Sequence, residues 1–199
     1  MKREVVVLTL SEKWGKKCVA VYDVRTEDIL RLVSNPQGDG IESSYTNHLQ
    51  LLDVVEIEDM GAYPLEHQTE NILVDLRYGL HKVGHVDSFE LLEQLANSNP
   101  PVFGDTNYKL LTANGMKHSL EIVKFTAMSF TQNENNRTKA SFRANGRWHN
   151  FYSVTDKRYF NQTGSISAGY AVITIPPSDD YTRAGKGYYK YVSAIYPTA

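Results

Sequence analysis

The chain has 199 residues, a formal net charge of −2, 41% hydrophobic and 22% charged residues, and a single cysteine, Cys18. Such a composition is that of a globular protein of one large or two small domains. It excludes wholesale disorder, an intrachain disulfide and a cysteine-rich zinc site, and it fits a reducing, cytoplasmic setting. No apolar run approaches the roughly 20 residues that cross a bilayer, and the Met-Lys-Arg-Glu start is unlike a signal peptide, so no membrane partner is expected.

In chain order, residues 3–10 (R-E-V-V-V-L-T-L) form a β-branched run that predicts a strand. A polar turn over 11–17 follows, then strands over 18–24 and 29–34, a Pro/Gly/Ser loop over 35–47, and strands over 51–57 and 71–76. Asp87-Ser88 reads as the cap of the one helix, F-E-L-L-E-Q-L-A over 89–96, which 97–101 terminate. From residue 120 onward the pattern is β: 120–131, 139–144, 147–154, 168–175 and 187–196. Asn145-Gly146 between two alternating segments predicts a two-residue hairpin, because both residues tolerate the positive φ of a type I′ turn. With such a loop Ala144 pairs with Arg147, Arg143 lies across from Trp148, and Phe142 falls opposite His149. Strands at this spacing, with one helix, exclude a doubly wound parallel sheet. Two small barrels or one compound β structure remain, with a seam between 97 and 117.

Charge divides at the same seam. Residues 1–116 carry 10 basic and 18 acidic side chains, residues 117–199 carry 11 and 5, and the second segment holds 14 of the 22 aromatic residues. A basic, aromatic-rich half suggests a face for something anionic.

Signatures of catalysis are absent. Cys18 sits in an apolar strand, where a thiol is packing. His81 and His85 are four apart, but Gly84 lies between them and no helical context supports a zinc site, so they read as solvated loop residues. The carboxylate pairs Asp53/Glu56 and Asp179/Asp180 lack a partner motif, and Gly185-Lys186-Gly187 lacks the spacing of a phosphate-binding loop. No enzyme, cofactor or metal is expected.

Binding signals are better. Lys13, Lys16 and Lys17 surround Trp14, and the hairpin sets Arg143, Arg147 and Trp148 near its tip. Cationic side chains that follow phosphates, beside rings that stack bases, are what single-strand binders use. The competing reading puts Trp148, Phe151 and Tyr152 in a barrel core, with Phe151 the stronger core candidate. Tyr188, Tyr189 and Tyr191 around Lys190 are equally ambiguous.

The runs V-V-V-L-T-L-S-E-K-W-G-K-K-C-V-A-V (5–21), I-L-R-L-V-S (29–34), L-L-D-V-V (51–55), K-A-S-F-R-A-N-G-R-W-H-N-F-Y-S-V-T-D (139–156) and Y-Y-K-Y-V-S-A-I-Y-P (188–197) resemble the prokaryotic dual OB-fold (DuOB) family, often linked to conflict and phage-defence gene neighbourhoods. Val21 and the segment 173–175 depart from its pattern. The resemblance implies a mainly β chain of two OB-like barrels with one short helix in the connection: an acidic barrel over 1–98, a connection over 99–116, and a basic barrel over 117–199. It also suggests nucleic-acid binding and supplies no catalytic residue. OB barrels bind on strands 2 and 3 and the flanking loops. By that analogy Lys13, Trp14, Lys16, Lys17 and Arg31 line one candidate site, and Arg143, Arg147, Trp148, Tyr152 and Lys157 line the other. The alternatives are a protein-interaction module docking on a partner effector, and a small-ligand sensor or an enzyme of unrecognised type.

Overall fold

The computed structural model describes residues 1–13, 15–99, 101–110, 116–176 and 187–198. The backbone divides into two units, Met1–Ser88 and Phe89–Ala199. The helix therefore belongs with the second unit, and the first unit ends at Ser88, ten residues before the limit of 98 expected for the first barrel.

The first unit contains β1 (Lys2–Val7), β2 (Ser11–Lys13), β3 (Lys16–Asp23), β4 (Ile29–Val33), β5 (Ile41–Glu42), a 3₁₀ turn at Ser43–Tyr45, β6 (Asp53–Ala62), β7 (Asn71–Val74) and β8 (His81–His85). Five of these strands close a ring in the order β1, β3, β4, β7, β6 and back to β1. The β4–β7 step is parallel and the others are antiparallel. Valines and isoleucines suit this pleated wall because branching at Cβ packs well against cross-strand neighbours. Val5, Val7, Val19, Val21, Val55 and Ile57 are fully buried inside it. Two details differ from expectation. The polar 11–17 turn is a tight hairpin in which Lys13 pairs with Lys16. The histidines at 81 and 85 lie not in a loop but on β8, whose partner β6 is distant in sequence and so leaves no local signal.

The second unit begins with α1 (Glu90–Leu95), which starts after Phe89 without a side-chain cap, rather than at Asp87-Ser88. It continues with a 3₁₀ turn at Val102–Gly104, β9 (Lys109–Leu110), β10 (Leu120–Gln132), β11 (Thr138–Ala144), β12 (Arg147–Val154), a 3₁₀ turn at Lys157–Tyr159, β13 (Gly164–Ile166), β14 (Gly169–Thr174), β15 (Tyr188–Tyr189) and β16 (Tyr191–Pro197). The ring β10, β11, β12, β16, β14 closes on β10, again with one parallel step, β12 to β16. Each unit is thus a five-stranded barrel with the same connectivity, mainly β as expected. Val123, Phe125, Phe142, Tyr152, Ile173, Val192 and Ile195 fill the second barrel. Gly169 is required where β14 begins, because a Cβ there would overlap the Tyr196 carbonyl oxygen and the Phe125 ring. No helix among the described residues is long and apolar enough to cross a membrane.

Candidate functional site

The hairpin β11–β12 carries the strongest candidate surface. Its turn is the expected one: Asn145 has φ +51° and Gly146 φ +76°, and the pairs Ala144–Arg147, Arg143–Trp148 and Phe142–His149 form in register. Asn145 also donates from Nδ2 to the carbonyls of Asn97 (3.0 Å) and Asn99 (3.3 Å), fixing the tip against the connection. Along β11 the even-numbered residues Thr138, Ala140, Phe142 and Ala144 are buried, so Lys139, Ser141 and Arg143 take the outer face. Arg143 is exposed there, and its cross-strand partner Trp148 is 51% exposed. Arg147 belongs by register to the inward row of Ala144, but beside the turn it is exposed.

A bulge then changes the parity of β12. Ala140 pairs with Tyr152 and Phe142 with His149, so two residues, Asn150 and Phe151, stand opposite Ser141. Both are exposed, Phe151 at 57%, while Tyr152 is fully buried. Tyr152 therefore leaves the candidate site. Its ring lies in the core and its hydroxyl donates to the Asn107 carbonyl at 3.1 Å. Phe151, the stronger core candidate by sequence, takes its place outside. Strict alternation from Trp148 predicts the opposite, because an extra residue in one strand is invisible to a period of two.

Sequence reasoning missed two further members of this face. Arg137 is exposed and continues the outward row, and Lys139 donates from Nζ to Ser153 Oγ at 2.7 Å. Burial, and then the neighbouring Arg137 charge, bring the Lys139 ammonium below its ordinary range. The signal was present: no Asp or Glu lies between Glu134 and Asp156. Two carboxylates of this unit are engaged elsewhere, Glu93 with Lys124 at 2.7 Å and Asp156 with Arg158 at 2.7 Å. Lys157 is exposed but stands in the 3₁₀ turn beyond the end of β12 opposite the hairpin tip, apart from the Arg143–Trp148 pair.

The candidate site of the first unit does not assemble in the same way. Trp14 and the Lys13 side chain lie outside the described residues. Lys16 pairs with Asp39 at 2.7 Å, which lowers the Asp39 carboxyl, and Lys17 donates to the Thr46 carbonyl at 3.5 Å. Arg31 is 5% exposed, with its guanidinium against Glu70 at 3.6 Å and against Cys18 Sγ. A buried, paired arginine cannot reach a ligand, so Arg31 is a structural residue. Long side chains choose partners across the barrel that local sequence does not announce.

The other chemistry-bearing residues are equally occupied. Asp53 is buried and accepts from Lys82 (2.7 Å), His85 Nδ1 (2.9 Å) and the Gln50 N–H (2.9 Å), which hold its carboxyl low against the opposing effect of burial. Lys190, ambiguous between surface and core by sequence, is 1% exposed; its Nζ donates to the carbonyls of Val102 (2.7 Å) and Asp105 and sits 5.6 Å from the Tyr152 ring centroid. Burial brings this ammonium down to about 8. His149 is fully buried, stacked on Phe142 with ring centroids 5.1 Å apart; burial and then the Lys190 charge bring it down to about 4. Asp179, Asp180, Gly185 and Lys186 lie outside the described residues. Among the described residues no cluster of His, Cys, Asp and Glu suits a metal ion.

Paired five-stranded barrels along one chain agree with the family comparison: the dual OB-containing domain, DuOB, matches residues 3–195. The chain belongs to the DuOB family. No curated protein matches the sequence of this DuOB chain significantly. Among solved structures it is similar to the tetrameric p202 HIN2, at 9% identity and a TM-score of 0.37, over 100% of this chain and 92% of that one.

Proposed function

We propose that this DuOB protein binds nucleic acid without altering it, through the outer face of β11–β12. The observation that carries the reading is the carboxylate-free hairpin, on which Lys139 and Arg143 lie along β11 with Arg137 just before it, Trp148 stands across from Arg143, and Arg147 is exposed beside the turn. Guanidinium and ammonium groups neutralise phosphates and release their counterions, and an exposed indole offers a face to a base. The hairpin corresponds to strands 2 and 3 of an OB barrel, where oligonucleotides commonly lie. Under this reading the protein is the nucleic-acid-contacting part of a prokaryotic defence system, consistent with the neighbourhoods of its family, and works in a reducing cytoplasm where Cys18 stays a thiol.

The test is fluorescence anisotropy with a labelled 20-nucleotide oligonucleotide between 50 and 200 mM salt. Four engaged cations on a single strand give a slope of about −3 in log K against log salt, a loss of roughly 50-fold over that range. Absent binding, or binding indifferent to salt, overturns the reading; so does stoichiometric capture of a protein partner through Arg143 and Trp148 with no oligonucleotide affinity.

A further inference from the structure

Phe151 is the least explained residue of the hairpin. It is a large apolar ring, 57% exposed, on a backbone with φ +62°. That left-handed conformation is unfavourable for an L-residue with a bulky side chain, and such strain concentrates where a protein uses the geometry. The bulge is secured locally: the Phe151 N–H donates to Ser141 Oγ at 3.2 Å, and register on both sides returns to buried partners, His149 with Phe142 and Tyr152 with Ala140. Unbroken alternation through Asn150 would instead point Phe151 into the core and Tyr152 outward. The strand thus leaves its alternation at one point, and the result is a second ring on the face that already carries Trp148 and Arg143.

Resting on the nucleic-acid reading above, we propose that Phe151 is a stacking platform for an unpaired base, so that the hairpin takes single-stranded rather than duplex nucleic acid. The occupant follows from charge complementarity and ring chemistry together. The neighbouring cations call for a polyanion, and an exposed π-face calls for a planar group that is free to leave its own stack. Bases in a duplex are already stacked and present only edges and phosphates to a protein surface. A single strand offers both phosphates and ring faces, and ring stacking tolerates any base. Trp148 and Phe151, three residues apart on a strand that rises about 3.3 Å per residue, give two separate platforms rather than one clamp.

The experiment compares wild type, Phe151→Leu, Phe151→Gly and Phe151→Trp by anisotropy, using a labelled 15-nucleotide oligothymidine and a 15-base-pair duplex at fixed salt, with thermal melts to monitor the fold. Phe151→Leu is expected to weaken single-strand binding by about 5- to 150-fold, with an unchanged salt slope and unchanged duplex binding. Phe151→Trp keeps wild-type affinity. Phe151→Gly removes the ring and relieves the positive φ, so it melts no lower than wild type yet binds as weakly as the Leu variant, which decides the matter should the Leu variant fail to fold. Single-strand affinity at wild-type level in both ring-less variants overturns this inference and leaves nucleic-acid binding intact. A wild-type protein that binds neither probe overturns the parent reading instead.

Discussion

Arg143 and Trp148 face each other directly across the β11–β12 ladder, one pair away from the Asn145-Gly146 turn. The two side chains make separable contributions to an anionic, ring-bearing ligand: one charge contact and one stacking contact. Arg143→Ala/Arg147→Ala removes two phosphate contacts and is expected to flatten the salt slope by about 1.4 on a single strand. Trp148→Ala is expected to lower affinity by about 1–3 kcal/mol with the slope preserved. Titrations of both variants at four salt concentrations check this; a Trp148→Ala change confined to the slope contradicts it.

His149 sets an acid limit on the second barrel. Its folded pKa, about 4, lies below the ordinary 6.5, so as pH falls from 6.5 toward 4 the unfolded chain takes up the proton first. The stabilisation from the neutral ring is complete above pH 6.5 and is lost through that window, about 2–3 kcal/mol by pH 4.5. His149→Phe keeps the stack on Phe142 and removes the titration. Urea unfolding at pH 7 and 4.5 is expected to show wild type losing about 2–3 kcal/mol more than the variant; equal losses contradict the assignment.

Arg3 holds two buried carboxylates of the first barrel. Its guanidinium reaches Asp23 Oδ2 and Asp59 Oδ2, each at 2.6 Å, and those side chains are only 1% and 6% exposed. Arg3→Ala strands both charges and is expected to cost about 3–5 kcal/mol. Arg3→Lys recovers only part of that, because an ammonium cannot span two acceptors as a planar fork does. Denaturant midpoints of the two variants make the comparison.

Two glycines should respond differently to the same methyl group. At Gly146 a Cβ meets open space, so Gly146→Ala costs only the positive φ, about 1 kcal/mol. At Gly169 the Cβ overlaps the Tyr196 carbonyl and the Phe125 ring, so Gly169→Ala forces β14 off its neighbour and costs about 3 kcal/mol. Thermal melts of the pair order them; Gly146→Ala as the more damaging change refutes the account.

Where local chemistry decides the structure, the sequence is readable. The β-branched run at 3–10 becomes β1, and Asn145-Gly146 yields the turn and the three cross-strand pairs expected of it. Reading fails where a distant partner or an inserted residue intervenes. Arg31 looks like a surface cation on an alternating strand until Glu70 and Cys18 close around it. Lys190, amid tyrosines, is ambiguous until the carbonyls of Val102 and Asp105 are found beside it. Phe151 and Tyr152 exchange places because the bulge at Asn150-Phe151, opposite Ser141, shifts the phase by one. Arg137 and Lys139 were legible in the stretch without carboxylates but only outward alternation along β11 assigns them to the face.

The Lys190 ammonium reaches back 88 residues to Val102 and 85 to Asp105. Trimming the chain at residue 117, where its charge changes sign, would seal a cation inside a barrel stripped of its acceptors. A fragment starting there would fail for a reason unrelated to its own strands. The unit that holds those acceptors begins with the helix, at Phe89.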